Sequence, residues 1–171
     1  MSPPFDLDGL LAWRAERDEI FRSHYASPIP EDHQFTALGF FDPNPEWVLT
    51  GSFIPAGGRI DIGSSTGGTS AYEVAGYVEV EIQGESHQLV VLHGEERELF
   101  IPFRDATAGD TTYEGGRYVS VSRTDTYEAT VDFNRAVNPY CAYDQEFSCP
   151  LPPTQNRLPF PVPAGELAYV P

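Results

Sequence analysis

Between positions 7 and 25 the apolar side chains recur every three or four residues: Leu7, Leu10, Leu11, Trp13, Ile20 and Phe21, with His24 and Tyr25 on the same arc. That spacing gathers them on about half of a helical wheel and predicts an amphipathic helix over 7–25. Asp6 or Asp8 can cap its start, Gly9 weakens the first turn, and Ser27-Pro-Ile-Pro30 ends it. Arg14, Arg17 and Asp18 project into the same arc. They either lie at the edge of the buried stripe or, for Arg17 and Asp18, reach into a site.

Near Trp47 the period changes to two. Strands are predicted at 46–54, 59–62, 72–82, 87–93, 98–103, 117–123 and 127–133. In the third of these Val74, Gly76, Val78, Val80 and Ile82 share one face, opposite Glu73, Tyr77, Glu79 and Glu81. Gly84-Glu85 turns the chain into a hairpin partner carrying His87 and His93 on one face. In an extended strand those two rings lie about 20 Å apart, too far to share a metal.

Beyond Asn138 the prolines at 139, 150, 152, 153, 159, 161, 163 and 171 exclude regular central strands. The whole pattern predicts a mainly β, single-domain chain over 1–171. A helix at 7–25 precedes an antiparallel barrel or sandwich of about seven or eight strands over 46–133, and an extended Pro-rich C-terminal tail over 138–171 packs on that body.

Composition changes the expected setting more than the fold. The 171 residues carry 26 acids against 10 bases, a formal charge of −16, and all ten bases are arginine. Such a surface repels nucleic acid and anionic lipid, so neither is an expected partner. Acidic chains without lysine suit molar salt, where screening acts over about 3 Å, and a halophilic source is expected. No apolar run is long enough for a membrane span, and the N-terminus lacks the basic and apolar regions of a signal peptide, which favours a cytoplasmic location.

Two clusters and a cysteine pair carry the candidate chemistry. After the strand ending near Phe103 come Arg104, Asp105 and Thr107, then Tyr113, Gly115-Gly116, Arg117 and Tyr118. An arginine beside a glycine turn can grip a carboxylate or phosphate in bidentate fashion; the alternative is a hairpin loop tied by its own arginine–aspartate pair. The glycines match no dinucleotide or P-loop pattern, and no cofactor is expected. The second cluster is Asp132, Asn134 and Asn138 at a strand end, residues that stabilise turns or orient ligands.

Cys141 and Cys149 lie in one proline-bounded loop beside Tyr140 and Tyr143. Two thiols without a further cysteine or nearby histidine are too few for a structural zinc site, and no metal is expected. A disulfide closing nine residues would stabilise by about 2–3 kcal/mol, but a reducing compartment opposes it. A nucleophilic thiolate would need His24 or His33 from the far N-terminal part. Two reduced cysteines packed as small apolar anchors of the tail is the remaining reading, and the one expected.

The blocks "PFRDATAGDTTYEGGRY", "VDFNRAVNPYCAYDQEFSCPLPPTQNRL" and "PAGE", with "RAERDEIF" and "GFFDPNPEW" earlier, make the chain resemble the uncharacterised family called domain of unknown function 1684. The resemblance spans nearly the whole chain and implies no reaction. It covers Arg17, Asp18, Arg104, Asp105, Thr107, Tyr113, Gly116, Arg117, Tyr118, Asp132, Asn134, Asn138, Cys141, Cys149, Asn156 and Glu166. Tyr140, Gln155 and Ser120 depart from the pattern, where proline, glutamate and aspartate are usual.

The expected function is small-molecule binding at a barrel mouth, with Arg104, Arg117 and tyrosines recognising an anionic or polar ligand. The alternatives are a hydrolase-like enzyme with Asp105 or Asp132 as general base, Tyr113 as acid and an arginine as electrostatic stabiliser, or a structural module with no ligand. Arg104, Arg117 and Asp132 pointing inward around one cavity would favour the first two; all three consumed in local loop bonds would favour the third.

Overall fold

The computed structural model describes residues 4–171. The helix α1 (Leu7–Ser23) is capped by the Asp6 side chain, which accepts the Gly9 amide. It ends two residues earlier than the periodicity predicts because His24 takes an extended backbone. The buried stripe also differs. Leu10, Arg14 and Phe21 face inward, whereas Leu7, Leu11 and Ile20 are nearly half exposed and Tyr25 is in solvent. Arg14 is tolerated inside because its guanidinium donates to the carbonyls of Phe41 at 3.0 Å and Asn134 at 3.2 Å and lies 4.4 Å over the Phe40 ring.

Seven antiparallel strands follow: β1 (Val48–Pro55), β2 (Arg59–Gly63), β3 (Thr69–Ile82), β4 (Glu85–His93), β5 (Leu99–Phe103), β6 (Arg117–Arg123) and β7 (Glu128–Asp132). Six of them close in the order β1-β7-β6-β5-β4-β3, with β3 returning to β1, so the body is a barrel and not a sandwich. The seventh, β2, pairs only with the first half of β3. A bulge between Val74 and Gly76 bends β3 away from β2 and into register with β1. Closure there brings backbones so near that a Cβ on Gly76 would meet the Ile54 carbonyl, and one on Gly51 the Glu79 carbonyl.

Strict alternation fills the interior. Phe53, Val78, Val80, Leu89, Val91, Ile101, Phe103, Val119, Val131 and Phe133 pack there, while Glu79 and Glu81 face water. A second apolar layer (Ile62, Val74, Val90, Leu92) lies under β2, and a third (Phe21, Leu38, Tyr143) joins α1 to the C-terminal segment.

The C-terminal segment, which begins directly after β7 at Phe133, contains no strand among its described residues. It has 3-10 turns at Phe133–Arg135, Tyr140–Ala142 and Thr154–Asn156, and touches the body through single bridges Tyr118↔Val137, Ser64↔Pro150, Arg104↔Arg157 and Phe40↔Glu166. The bridge at Arg104 repairs a weakness, because β4 and β5 share only two residue pairs. Among the described residues no helix is long and apolar enough to cross a membrane.

Candidate functional site

Arg117 opens β6 opposite Phe103 and turns inward, 1% exposed, with its guanidinium 5.1 Å from the Phe103 ring centre. Both terminal nitrogens are taken. Nη1 donates to the Ala164 and Glu166 carbonyls, and Nη2 to the Val162 carbonyl at 3.0 Å and Asp105 Oδ1 at 3.4 Å. The other Asp105 oxygen accepts the Val162 amide at 2.6 Å and the Thr107 hydroxyl at 2.8 Å. Burial pulls Arg117 below its ordinary pKa, and Asp105 partly restores it.

Arg104 follows the inward Phe103, and alternation turns it outward, where Nε donates to the Glu114 carbonyl at 2.9 Å. The two arginines therefore do not meet in the hollow expected from the sequence. One is sealed under the C-terminal segment and the other lies on the surface. Asp105, taken up by Arg117 and Val162, has no free oxygen with which to act as a general base.

A second buried cluster lies between α1 and the C-terminal segment. The Glu166 carboxylate receives Arg17 Nη2 at 3.1 Å, the Asn138 amide at 3.1 Å and the Tyr143 hydroxyl. Arg17 also donates to Tyr143 Oη at 3.2 Å and covers the Phe21 ring. Burial pushes Glu166 up while Arg17 pulls it down, and Glu166 raises Arg17 in spite of that residue's burial. All three partners donate, so the cluster is built to hold a carboxylate.

The remaining candidates serve local structure. Asp18 accepts the Leu38 amide at 2.8 Å. Asp132 caps the turn through the Asn134 amide at 3.0 Å and pairs with Arg135 at 3.5 Å. Asn134 clamps both backbone groups of Asn44. Tyr118 donates to the Pro150 carbonyl at 2.6 Å, and Tyr140 is an exposed ring set against Phe147.

The cysteines form the third arrangement. Cys141 sits in the 3-10 turn Tyr140–Ala142, and its amide donates to Cys149 Sγ at 3.3 Å. Tyr113 Oη donates to Cys141 Sγ at 3.4 Å, and the Cys149 amide donates to Ser65 Oγ at 3.0 Å. Both thiols are free. Hydrogen bonding from Cys149, then from Tyr113 and Ser65, holds the Cys141 thiol well below its ordinary value, at about 6, although burial opposes this. The same bond, with burial, pushes Cys149 up, and burial and Cys141 push Tyr113 up.

Cys141 lines a groove of about 380 Å³ together with His33, Tyr113, Tyr143, Asp144 and Tyr169. His33 Nδ1 and Tyr169 Oη are 3.1 Å apart. Cys149 is not among the residues that line the groove. Among the described residues no group of three or more His, Cys, Asp or Glu could hold a metal.

The candidate site read from the sequence left out Ser65, Tyr169 and Glu166, although the family resemblance covered Glu166. Glu166 had a signal, a lone acid in the apolar run Val162-Pro-Ala-Gly-Glu-Leu-Ala. Ser65 had none, because only the fold brings the β2–β3 turn to Cys149.

A closed six-stranded barrel, braced by buried arginines and carrying beside its C-terminal segment a groove lined by one cysteine of a close pair, defines a small β-barrel protein. Residues 33–167 match the family model described as protein of unknown function (DUF1684), and the chain belongs to that family. It is similar in structure to an uncharacterized protein of Haloarcula marismortui solved by solution NMR. The TM-score is 0.73 at 37% identity, covering 94% of this chain and 92% of that one. No curated protein matches the chain.

Proposed function

We propose that the protein captures a small electrophilic molecule in the groove beside the C-terminal segment, with Cys141 as the attacking group. The observation that carries this reading is the placement of the Tyr113 hydroxyl 3.4 Å from Cys141 Sγ, at the wall of an open groove. A thiolate needs a donor to stabilise it and an approach for its partner; Tyr113 is the donor, and the groove reaches the otherwise buried Cys141, 3% exposed. Ligand binding thus moves from the barrel mouth, where Arg117 is sealed, to the thiol groove. A cytoplasmic, reducing and salt-rich setting fits a pair of free thiols under an acid-rich surface.

The test is alkylation by iodoacetamide across pH, with the modified cysteine mapped by mass spectrometry. Cys141 should react selectively, half-maximally near pH 6, with Cys149 spared until the chain unfolds. A Cys141 that titrates like an ordinary thiol, or reacts only in denaturant, removes the proposal.

For the arginine clusters one observation favours a purely structural role. Every Arg117 hydrogen bond ends on the C-terminal segment or on Asp105.

A further inference from the structure

We propose that Cys141 and Cys149 form a redox couple oxidised from the groove by a hydroperoxide, with Cys141 attacked first and Cys149 resolving it to a disulfide. The proposal rests on Cys141 being the reactive thiol and adds a substrate class and a second sulfur.

Three features argue for it. Only one of the thiols meets the groove: Cys141 lines it and Cys149 does not, although both residues are buried, at 3% and 8% exposure. They are close, since the Cys141 nitrogen that bonds Cys149 Sγ at 3.3 Å is only three bonds from its own sulfur. And the second sulfur is anchored. The Cys149 carbonyl accepts the Ser65 amide at 2.9 Å, its amide donates to Ser65 Oγ, and Ser148 Oγ lies 2.7 Å from Thr66 Oγ1. A covalent oxygen on Cys141 would thus form beside a thiol held in place, which is the arrangement a resolving cysteine requires.

The chemistry balances. The Cys141 thiolate attacks the terminal oxygen of ROOH, forming an S–O bond as the O–O bond breaks. The alkoxide leaves and takes a proton, giving ROH and a sulfenic acid. Cys149 sulfur then attacks that sulfur. The S–S bond forms, the S–O bond breaks, and hydroxide leaves with the Cys149 proton as water. Two electrons pass from the two sulfurs to the peroxide, and an external dithiol returns them. Tyr113 is the donor placed to hydrogen-bond the departing oxygen.

The experiment treats the reduced full-length chain with cumene hydroperoxide at pH 7 and counts thiols after denaturation. The expected result is loss of both thiols in a monomeric product lighter by two hydrogens. In Cys149→Ser a sulfenic acid should accumulate at Cys141 and be trapped by dimedone. In Cys141→Ser oxidation should slow at least about tenfold. Dimedone mapping on the unmutated chain at early times gives the same assignment without relying on a variant's folding. Two surviving thiols, or first modification at Cys149, overturns the proposal. Alkylation in the same samples separates the two readings: fast alkylation without disulfide formation leaves the reactive thiol standing and removes the redox couple, whereas failure of both removes both.

Discussion

Asn156 replaces a missing strand partner for Val90. Its side-chain oxygen accepts the Val90 amide at 2.8 Å, and its nitrogen donates to the Val90 carbonyl at 3.0 Å. The same nitrogen reaches the Pro102 carbonyl at 2.9 Å, so one buried amide joins β4 to β5 where the ladder stops. Asn156→Ala strands three backbone groups away from water. Stability should fall by about 3 kcal/mol, read as a lower denaturation midpoint with an unchanged slope. A neutral result would mean that the seam repairs itself.

Arg117→Ala should destabilise by about 3–5 kcal/mol, because Asp105 and three carbonyls lose their shared cation. Arg117→Lys should recover little of this, since an ammonium cannot fork between Nη1-type and Nη2-type partners. Equilibrium unfolding of both variants is the measurement. Near-native stability of the lysine variant would contradict the brace.

The stability of the reduced protein should rise with pH between about 6 and 9. Cys141 has a folded pKa of about 6 against an ordinary value of 9.0, so the folded chain binds fewer protons in that window and the gain is lost as pH falls through 6. Cys149, raised from 9.0, begins to oppose folding only above that value. The groups around the pair are Tyr113 with Glu114 beside it, Tyr72 and Tyr118 near Cys149, and His33, Tyr143 and Asp144 along the groove. Denaturation midpoints at pH 6 and 8.5 should differ for the unmutated chain and converge for Cys141→Ser. An unaltered difference in the variant would assign the effect elsewhere.

Gly116→Ala should cost about 1–3 kcal/mol. Gly116 has a φ of +90°, and a Cβ there would press on the Phe103 carbonyl opposite, at the point where the chain enters β6. A thermal melt compares the two chains, and an equal or higher melting temperature for alanine would refute the constraint.

Melting temperature should climb steeply between dilute buffer and molar potassium chloride. Repulsion at a formal charge of −16 is screened over about 3 Å at that strength. Salt-independence would remove the inference that the acidic surface is adapted to brine.

Strand positions were legible because alternation is strict: Val78, Val80 and Ile82 point in, and Glu79 and Glu81 point out, as their order dictates. The helix was legible in place, and Arg14 and Arg17 were read on its apolar arc. Hydrophobicity cannot foresee which of the apolar residues turn outward, or that the two arginines meet the Asn134 carbonyl and the Glu166 carboxylate more than a hundred residues away. The same limit displaced the candidate site. Arg117 beside a glycine turn looks like a ligand clamp until the C-terminal segment folds across it. The cysteine loop was visible as a unit, but the donors Tyr113 and Ser65 come from other elements and left no trace near positions 141 and 149.

The cross-brace from Arg17 to Glu166 has a temporal side. A ribosome makes the helix first and the matching acid some 149 positions later, so two guanidiniums must wait for carbonyls and a carboxylate that do not yet exist. The barrel strands can pair earlier, but the nascent protein stays incompletely sealed until the stretch from 162 to 166 has emerged, and any chain stopped short of it would expose cationic, aromatic-lined gaps to chaperones and proteases.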